Sequence, residues 1–330
     1  MKKRIIKIRT AGMDRDAWLH ERRRSLGGSD MGAILGLNQW KSPYSVWAEK
    51  TGRVTEDRDS EAMRVGRDLE PYVAQRFVEA SGLPVRRVNA ILRNPSFPCI
   101  HANIDREIAG QQAGLECKTA SALSESKFRD GFPESYYAQC VTYLAVTEYK
   151  RWYLAVLVMG RGFFIYQMTR IENDECPEWC EGSVYVSDDE INALRDAAIE
   201  FWMLVEQDQP PAVDGSDSTT ETIKTIYAES TDKRIDLSAP SISQAVSMYL
   251  KLKEEEKERK KLMEEQANII RSYMKDAEGG ICKHGRVSWK SQTRESFDKE
   301  AFKAVYPTIR LDRFTKTTTS RVFKVTAEKE

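Results

Sequence analysis

Residues 114–120 have the sequence GLECKTA and place Glu116 and Lys118 one residue apart in a short, strand-like run. Side chains alternate between the two faces of a strand, so this carboxylate and this ammonium group share one face. An ion pair of this kind on a strand is usually exposed and contributes little to stability. Its importance therefore depends on the polar residues that neighbouring segments add to it.

The longer segment around it, CIHANIDREIAGQQAGLECKTA at residues 99–120, is predicted to form a β-hairpin with glycines around its turn. In its first arm, polar residues alternate with the apolar residues Ile100, Ala102 and Ile104. This alternation lets Asp105 in the first arm point to the same polar face as Glu116 and Lys118 in the second. The hairpin thus predicts a strand surface with two carboxylates and one ammonium group.

A third carboxylate, Glu70, lies on a predicted helix upstream of this hairpin. Asp68 is expected to cap the helix, and Pro71 suits its first turn because no N–H is needed there. Gly82 ends the helix, and its apolar stripe consists of Leu69, Val73 and Phe77. Glu70 flanks this stripe, so we expect its carboxylate at the edge of the surface on which the helix packs.

Three carboxylates and one lysine leave an excess of negative charge. Two like charges ~4 Å apart repel by ~4 kcal/mol at an effective dielectric constant of 20, which one lysine does not offset among three acids. Mg²⁺ supplies the missing positive charge, because it prefers oxygen ligands and is usually held by one or two carboxylates plus a phosphate. We expect Asp105 and Glu116 to bind it directly and Glu70 to bind it directly or through water.

Two further groups complete the predicted chemistry. The backbone carbonyl of Cys117 could supply another oxygen ligand to the metal. Lys118 would orient the attacking water or help to deprotonate it. The metal would lower the pKa of that water and offset the negative charge that builds up during phosphodiester hydrolysis.

The composition limits the classes of protein that fit. The chain has 330 residues, 41% hydrophobic and 31% charged, and its 51 Lys and Arg equal its 51 Asp and Glu. It therefore lacks an overall basic field, and a nucleic-acid site has to be local. No apolar leader or membrane-length segment is present, so the six cysteines are predicted to be reduced thiols of a cytoplasmic protein. Cys176 and Cys180 lack a second ligand pair nearby, so we expect no metal there.

Several further elements are predicted in the first part of the chain. Helices are expected over residues 42–51, from about Pro133, and over residues 188–207, and a second hairpin turns at the GRG sequence 160–162. Residues 1–210 are predicted to form one domain. A linker over residues 211–235 follows, because Pro210 and Pro211 end the preceding helix and the sequence beyond them is rich in Asp, Ser, Thr and Gly.

The remainder, residues 236–330, is predicted to be a helical and small β extension. It begins with a long helix or helical hairpin around the solvated charged run KEEEKERKK at residues 253–261. Glycines at 279 and 280 close this region. A short β segment, a helix near 298–304 and a possible strand, TTSRVFKV, at residues 318–325 complete the tail.

Several motifs, in order, resemble one family of nucleases. They are WLHERRRSLGGSDMGAILGLNQWKSPYSVWAEKTG at 18–52, VGRDLEPYVAQRF at 65–77, ANIDREI at 102–108, LECKTA at 115–120 and ESYYAQCVTYLAVT at 134–147. Over about residues 14–209 the chain resembles the YqaJ-type viral recombinases related to phage lambda exonuclease, within the PD-(D/E)xK nuclease superfamily. It departs from that pattern at Ile104, where many members have Pro, and at Arg106, where Gly is frequent. Neither change removes the carboxylate of Asp105.

The resemblance implies an α/β fold with a restriction-endonuclease-like core, in which a mixed sheet is flanked by helices. By motif match, Asp105, Glu116 and Lys118 would be catalytic, and Glu70 would be associated with the metal. Gln139 matches a helix glutamine that supports the active site, although it could instead be a solvent-facing helix residue. We expect Mg²⁺, for which Mn²⁺ could substitute, with two ions per site.

The resemblance also implies a site for a terminal 5′-phosphate. Arg22 and Ser29 match the residues that hold this group in the family. A guanidinium forms a charged, bidentate contact with phosphate, and the GGS sequence can present a hydroxyl and backbone N–H groups at a helix start. Trp18, Trp40 and Trp47 are expected in the core, although one of them could separate the DNA strands. For Tyr136 and Tyr137 the choice is between the core and a platform for a nucleotide, and we favour the core for Tyr137.

The leading hypothesis is a phage or prophage exonuclease in the bacterial cytoplasm. It would degrade one strand of linear double-stranded DNA from 5′ to 3′ and leave 3′ single-stranded tails for a phage annealing protein. The family implies a homo-oligomer, and the ring-shaped trimer of some relatives would retain DNA between turnovers. An endonuclease of the same superfamily and a non-catalytic DNA-binding assembly protein are the alternatives.

Overall fold

The computed structural model describes residues 4–55, 60–306, 308–309, 311–314 and 325. The chain forms two compact units, Met1–Tyr227 and Ala228–Glu330. Both predicted kinds of secondary structure are present, with mixed sheets flanked by helices in the first unit and a helix plus a small hairpin in the second. This confirms the predicted α/β class. No helix in the described ranges is long and apolar enough to cross a membrane.

The first unit contains ten strands in two mixed sheets. In chain order they are β1 (Ile6–Arg9), β2 (Leu26–Gly27), β3 (Val85–Arg87), β4 (Ala90–Arg93), β5 (Ile100–Ala102), β6 (Arg106–Ile108), β7 (Ala113–Ala120), β8 (Arg151–Val158), β9 (Gly162–Thr169) and β10 (Gly182–Tyr185). The larger sheet has the order β10-β9-β8-β7-β6-β3, and the smaller has the order β1-β4-β5-β2. Strands β7 and β8 run parallel, whereas β8 and β9 form the predicted second hairpin.

Seven helices of the first unit surround these sheets. They are α1 (Arg15–Arg23), α2 (Gly28–Ile34), α3 (Pro43–Lys50), α4 (Glu61–Ser81), α5 (Glu134–Thr147), α6 (Asp188–Glu206) and α7 (Asp217–Ile226). A 3-10 helix, Ala122–Phe128, follows β7. The helices predicted at residues 42–51, from Pro133 and over 188–207 correspond to α3, α5 and α6.

The two faces of strands β7 and β8 pack against different helices. Tyr153 and Ala155 of β8 lie in one apolar cluster with Phe77 of α4. Leu154 and Val156 lie in the other cluster, which includes residues of α5. Because Glu116 pairs in register with Leu154, and Lys118 with Val156, both charged side chains are on the α5 face of the sheet.

The predicted hairpin over residues 99–120 is only partly correct. Its second half is a true hairpin, in which Arg106 pairs with Leu115. Its first half, β5, instead joins the smaller sheet, where it pairs with β4 and β2. The chain therefore crosses between sheets just before Asp105, a switch that alternation of apolar residues along one segment does not reveal.

The helix around Glu70 begins earlier than predicted. Helix α4 starts at Glu61 with Ser60 as its cap, whose hydroxyl accepts a hydrogen bond from the Met63 N–H at 3.2 Å. Pro71 consequently lies inside the helix rather than in its first turn, and Asp68 does not cap it. Gly82 ends the helix with a positive φ of 69°, as predicted.

The predicted linker over residues 211–235 contains a helix. Helix α7 is capped by Ser216 and contacts the start of α3, where the Thr219 hydroxyl donates to Ser42 Oγ at 2.8 Å. Ile223 and Ile226 pack against the main apolar cluster. The polar composition of this range predicted a linker. The structure instead contains a helix, because Ile223 and Ile226, at helical spacing, pack one face of the segment against the apolar cluster. The proposed division at residue 210 stays a prediction.

The second unit is built around one long helix. Helix α8 (Pro240–Met274) has no buried residue, and a two-stranded antiparallel sheet follows it, formed by β11 (Gly279–Cys282) and β12 (Gly285–Ser288). Helix α9 (Lys299–Val305) matches the short helix predicted near 298–304. The strand predicted at 318–325 lies outside the described residues, except for Val325.

Candidate active site

Glu116 and Lys118 form a close ion pair on β7. Lys118 Nζ lies 2.6 Å from Glu116 Oε1, and the two side chains are 23% and 5% exposed, respectively. Burial by itself would lower the pKa of Lys118, but the charge and hydrogen bond of Glu116 raise it above its usual value. Lys118 is therefore an ammonium group at neutral pH. The pair is not the weak surface contact that an E-x-K pattern usually produces.

Asp105 is joined to the same strand through the backbone. Its Oδ2 accepts a hydrogen bond from the Cys117 N–H at 2.8 Å. Burial, followed by the negative charges of Glu116 and Glu70, raises the pKa of Asp105 well above its usual value. The three acids Asp105, Glu116 and Glu70 share the cluster with the two cations Lys118 and Arg106, so one negative charge is in excess when all five groups are ionised, which suits an additional cation.

Glu70 lies near Asp105 but has another partner. The two residues line a common cavity of about 190 Å³. Within it, Glu70 forms an ion pair with Arg106, a buried residue whose Nη1 also donates to the backbone oxygen of Asp105 at 2.8 Å. Arg106 was noted in the sequence only as a departure from the family pattern. Its charge, placed next to two acids, is a feature that the sequence analysis missed.

The donor set fits a divalent ion in part. Glu116 Oε1 contacts Lys118 and accepts a hydrogen bond from Gln139, but Oε2 is buried without a hydrogen-bond partner. An orphaned carboxylate oxygen beside a second acid of raised pKa provides two oxygen ligands for a hard cation. In the described part of the chain, however, no group of three His, Cys, Asp or Glu side chains is arranged to hold a metal. The three carboxylates expected to bind the metal therefore do not converge on one point, because Glu70 is paired with Arg106.

Gln139 is buried and contacts the ion pair. From α5 its Nε2 donates to Glu116 Oε1 at 2.6 Å and to the Tyr143 hydroxyl at 2.7 Å. Gln139 is only 6% exposed, so the alternative of a solvent-facing residue is wrong. Tyr143, which the sequence analysis had placed in no role, lies one helical turn later and fixes the amide. Its i,i+4 spacing from Gln139 was the signal that could have identified it.

A close contact of α2 with α5 connects the GGS sequence to this glutamine. A Cβ atom at Gly28 would lie 2.6 Å from the Tyr143 ring and 3.2 Å from Gln139 Cγ. Only glycine allows this approach without displacing the ring. The need for glycine at this position is therefore explained by helix packing as well as by any anion that the motif binds.

Arg22 and Ser29, the predicted phosphate ligands, lie on consecutive helices. Arg22 is in the last turn of α1, with its guanidinium 4.5 Å from the centre of the Trp18 ring, and Trp18 lines the 190 Å³ cavity with Glu70 and Asp105. Ser29 is exposed in the first turn of α2. The structure thus places the Arg22 stack beside the acidic cluster, whereas the role of the two residues stays a prediction.

A buried charged network supports the start of α2. Asp30, 1% exposed, accepts from the Gly27 N–H at 2.9 Å and contacts Lys50 at 2.7 Å and Lys41 at 3.1 Å. Burial would raise the pKa of Asp30, but the charges of Lys50, Lys41 and Arg22 hold it well below its usual value. The sequence analysis missed this network, since the three residues are far apart in the chain.

A larger cavity lies on the Lys118 side of the site. It has a volume of about 610 Å³ and its lining includes Trp40, Lys127 and Tyr136. The Lys118 ammonium is 5.2 Å from the centre of the Tyr136 ring. Trp40 is 82% exposed, so its expected place in the core is wrong, whereas Trp47, 3% exposed, is in the core as expected. Exposed aromatic side chains next to lysines are the groups on which single-stranded nucleic acids stack and bind in proteins.

Comparisons with known proteins identify the family to which the sequence is similar. Residues 17–150 match the model of the YqaJ-like viral recombinase domain. The Bacillus subtilis (strain 168) protein YqaJ is 39% identical over 314 residues, and the match covers 93% of each chain.

The chain also has a low similarity to several solved structures. The alkaline exonuclease LHK-Exo from Laribacter hongkongensis, also solved in complex with dAMP, has a TM-score of 0.46 and 17% identity, covering 58% of this chain and 93% of its own. A phage-related exonuclease from Haemophilus somnus 129PT has a TM-score of 0.38 and 10% identity, covering 58% of this chain and all of its own. The identity to the Bacillus subtilis protein extends over nearly the whole chain, and the chain therefore belongs to the YqaJ family of viral recombinases.

Proposed function

We propose that the protein is a metal-dependent exonuclease that degrades one strand of linear double-stranded DNA from 5′ to 3′. The single observation that carries the proposal is the partly buried cluster of Glu116, Lys118 and Asp105, in which one buried oxygen of Glu116 has no hydrogen-bond partner. Metal-assisted phosphodiester hydrolysis needs oxygen ligands for the cation and, beside them, a hydrogen-bond donor for the negative charge that develops on the phosphate. Membership in a viral recombinase family supports DNA as the substrate.

Each residue of the cluster has a distinct task in this proposal. Asp105 and Glu116 would hold Mg²⁺ or Mn²⁺, with Glu70 and the carbonyl of Cys117 as further oxygen ligands. A bound divalent ion lowers the pKa of an attacking water and stabilises charge on the phosphate. Gln139 positions the Glu116 carboxylate through its hydrogen bond of 2.6 Å.

Lys118 has a raised pKa and is therefore charged at neutral pH, so it acts as a hydrogen-bond donor. It can orient the attacking water or a phosphate oxygen, and it favours the negatively charged transition state. Of the two roles considered from the sequence, orienting the water and helping to deprotonate it, we therefore propose the first for Lys118. Two metal ions per site would require Glu70 to leave Arg106.

The end preference rests on Arg22 and Ser29. A guanidinium stacked on Trp18 and an exposed hydroxyl at a helix start are suited to a terminal 5′-phosphate. Because Trp18 lines the cavity that contains Glu70 and Asp105, an anchored end would lie near the carboxylates. This geometry favours an exonuclease over an endonuclease, which needs no such anchor.

The biological setting follows from the family and is part of the same proposal. A 5′-to-3′ exonuclease leaves 3′ tails, which a single-strand annealing protein of the phage would pair. We place this activity in the bacterial cytoplasm and expect a homo-oligomer, for which a ring-shaped trimer would retain the DNA.

Digestion of a linear duplex with 5′-phosphate or 5′-hydroxyl ends, in Mg²⁺ or EDTA, tests the proposal. We expect Mg²⁺-dependent release of nucleotides that Lys118→Ala abolishes without loss of DNA binding. Arg22→Ala should remove most of the preference for 5′-phosphate, whereas Arg24→Ala, on an exposed side chain of the same segment, should retain it.

Three outcomes would contradict parts of this assignment. Near-native cleavage by Lys118→Ala would remove its proposed role. Cutting of a closed circular duplex would favour the endonuclease alternative. DNA binding without any metal-dependent cleavage would favour the non-catalytic assembly protein.

A further inference from the structure

Helix α8 exposes an unusual amount of apolar surface. None of its 35 residues is buried. Large apolar side chains along it are between 42% and 90% exposed, among them Ile242, Leu252, Met263, Ile270 and Tyr273. Long helices in water are normally stabilised by packing one apolar face against another element. The exposed residues of α8 therefore indicate a surface that another helix covers.

Six of the nine large apolar side chains exposed on α8 follow a heptad pattern, and the other three, Met248, Leu262 and Ile269, flank it on one side. Alternating steps of three and four residues define a single row, which we call the α8 seam: Ile242, Ala245, Tyr249, Leu252, Glu256, Arg259, Met263, Gln266, Ile270 and Tyr273. Such a row, about 45 Å long at 1.5 Å per residue, is the contact surface of a two-stranded coiled coil. Its only charged members, Glu256 and Arg259, lie at its centre.

The seam is complementary to itself when two copies run antiparallel. One alignment brings every seam residue opposite another: Ile242 to Tyr273 of the second copy, Ala245 to Ile270, Tyr249 to Gln266, Leu252 to Met263, and Glu256 to Arg259. The two charged residues thus form two identical pairs of opposite sign at the centre. A parallel, in-register pair would instead bring Glu256 against Glu256 and Arg259 against Arg259, which is repulsive.

We propose that α8 joins two copies of this chain in an antiparallel coiled coil along the α8 seam. A polar pair in an otherwise apolar seam fixes register and orientation, because any shifted alignment would leave a charge against an apolar residue. Such an isologous contact is the usual form of a symmetric dimer. The proposal uses residues outside the nuclease site and does not depend on the proposed function.

Among the described residues, those of the seam are exposed, whereas Val246, Leu250 and Ala267 on a neighbouring face of α8 are only half-exposed. Lys253 Nζ lies 3.4 Å from the Val325 oxygen, and Lys260 Nζ lies 2.6 Å from the seam residue Glu256. The pair of Lys260 with Glu256 is exposed to solvent, so it costs little for Glu256 to bind Arg259 of a second copy instead.

Sedimentation velocity of the full chain over a range of concentrations tests the proposal. Arg259→Glu creates two Glu–Glu contacts in the antiparallel pair and should raise the dissociation constant by roughly tenfold or more. Glu256→Arg should act in the same way. The double variant Glu256→Arg/Arg259→Glu exchanges the charges and should restore association to near the native level.

A matched control separates this effect from a general change of charge. Lys261→Glu changes the net charge as much as Arg259→Glu does, but it lies on the opposite side of α8 and should leave association unchanged. Helix content, measured by circular dichroism, should be equal in all variants. Association that is insensitive to Arg259→Glu, or that the charge exchange does not restore, would overturn the proposal.

Discussion

At the scale of single residues, the buried charge of Asp30 offers the clearest stability prediction. Asp30→Asn leaves Lys50, 5% exposed, without its carboxylate, and removing one partner of a buried ion pair costs roughly 3–5 kcal/mol. The pKa of Asp30 is depressed in the folded state, so its stabilisation is present above about pH 4 and is lost as the pH falls further. The free energy of unfolding, measured with urea from pH 3 to pH 7, should therefore fall less steeply with acid in Asp30→Asn.

Asp68→Asn is the control for this change. Asp68 is 66% exposed and lies 3.8 Å from Arg64, so its substitution should cost less than about 1 kcal/mol. Equal effects of the two substitutions would show that the network around Asp30 does not stabilise the start of α2.

Arg106 holds the Glu70 carboxylate that the proposed metal site would use. Since Arg106 pairs with Glu70, Arg106→Gln should free this carboxylate and leave more negative charge around Asp105. If the cluster binds Mg²⁺ as proposed, the concentration for half-maximal activity should fall by roughly threefold to tenfold, as expected for about 1 kcal/mol. Isothermal titration with Mn²⁺ gives a second readout that does not need turnover.

Arg86→Gln is the matched control, because Arg86 pairs with Glu107 at 2.8 Å but is 66% exposed and lies on the neighbouring strand. The Mg²⁺ concentration for half-maximal activity should be unchanged in Arg86→Gln. A higher requirement for Mg²⁺ in Arg106→Gln would mean that Arg106 supports the site instead of competing with the ion.

At the scale of secondary-structure elements, the contact of α2 with α5 couples the GGS sequence to Gln139. Gly28→Ala would place a Cβ 2.6 Å from the Tyr143 ring, and overpacking of this kind costs about 1–3 kcal/mol. The displaced ring should also loosen the hydrogen bond of Gln139 to Glu116, so turnover should fall by at least about tenfold while DNA binding persists. Single-turnover digestion and urea unfolding measure the two effects.

Gly66→Ala is the control for this substitution, because a Cβ at Gly66 would lie at an ordinary contact distance of 3.6 Å from Thr119 Oγ1. Inside helix α4, alanine should stabilise the protein slightly. If Gly28→Ala has native activity and stability, the close contact is not required.

The elements also show what sequence patterns can predict. The sequence pattern correctly predicted that Glu116, Lys118 and Asp105 lie together, because the alternation of side chains along a strand and a short hairpin are both local properties. The pairing of β5 with another sheet, and of Glu70 with Arg106, depends on contacts between distant segments and left no local signal. The early start of α4 was missed because Pro71 suggested a first turn, although ten residues of helix precede it.

At the scale of the whole molecule, the boundary of the first unit can be tested by truncation. A chain of residues 1–227 keeps α7 on α3, whereas a chain of residues 1–210, the predicted domain, loses it. The loss removes the Thr219 contact with Ser42 and uncovers apolar surface beneath Ile223 and Ile226.

Partial burial of two isoleucines and the two hydrogen bonds that Ser218 and Thr219 form with Ser42 together contribute about 3–6 kcal/mol. We therefore expect the 1–210 chain to unfold at a lower urea concentration than the 1–227 chain. Ile223→Ala in the longer chain should reproduce part of the loss, because it removes apolar contact but keeps the helix. Equal midpoints for the two truncated chains would place the boundary at residue 210 after all, and would make α7 a segment that the first unit does not need.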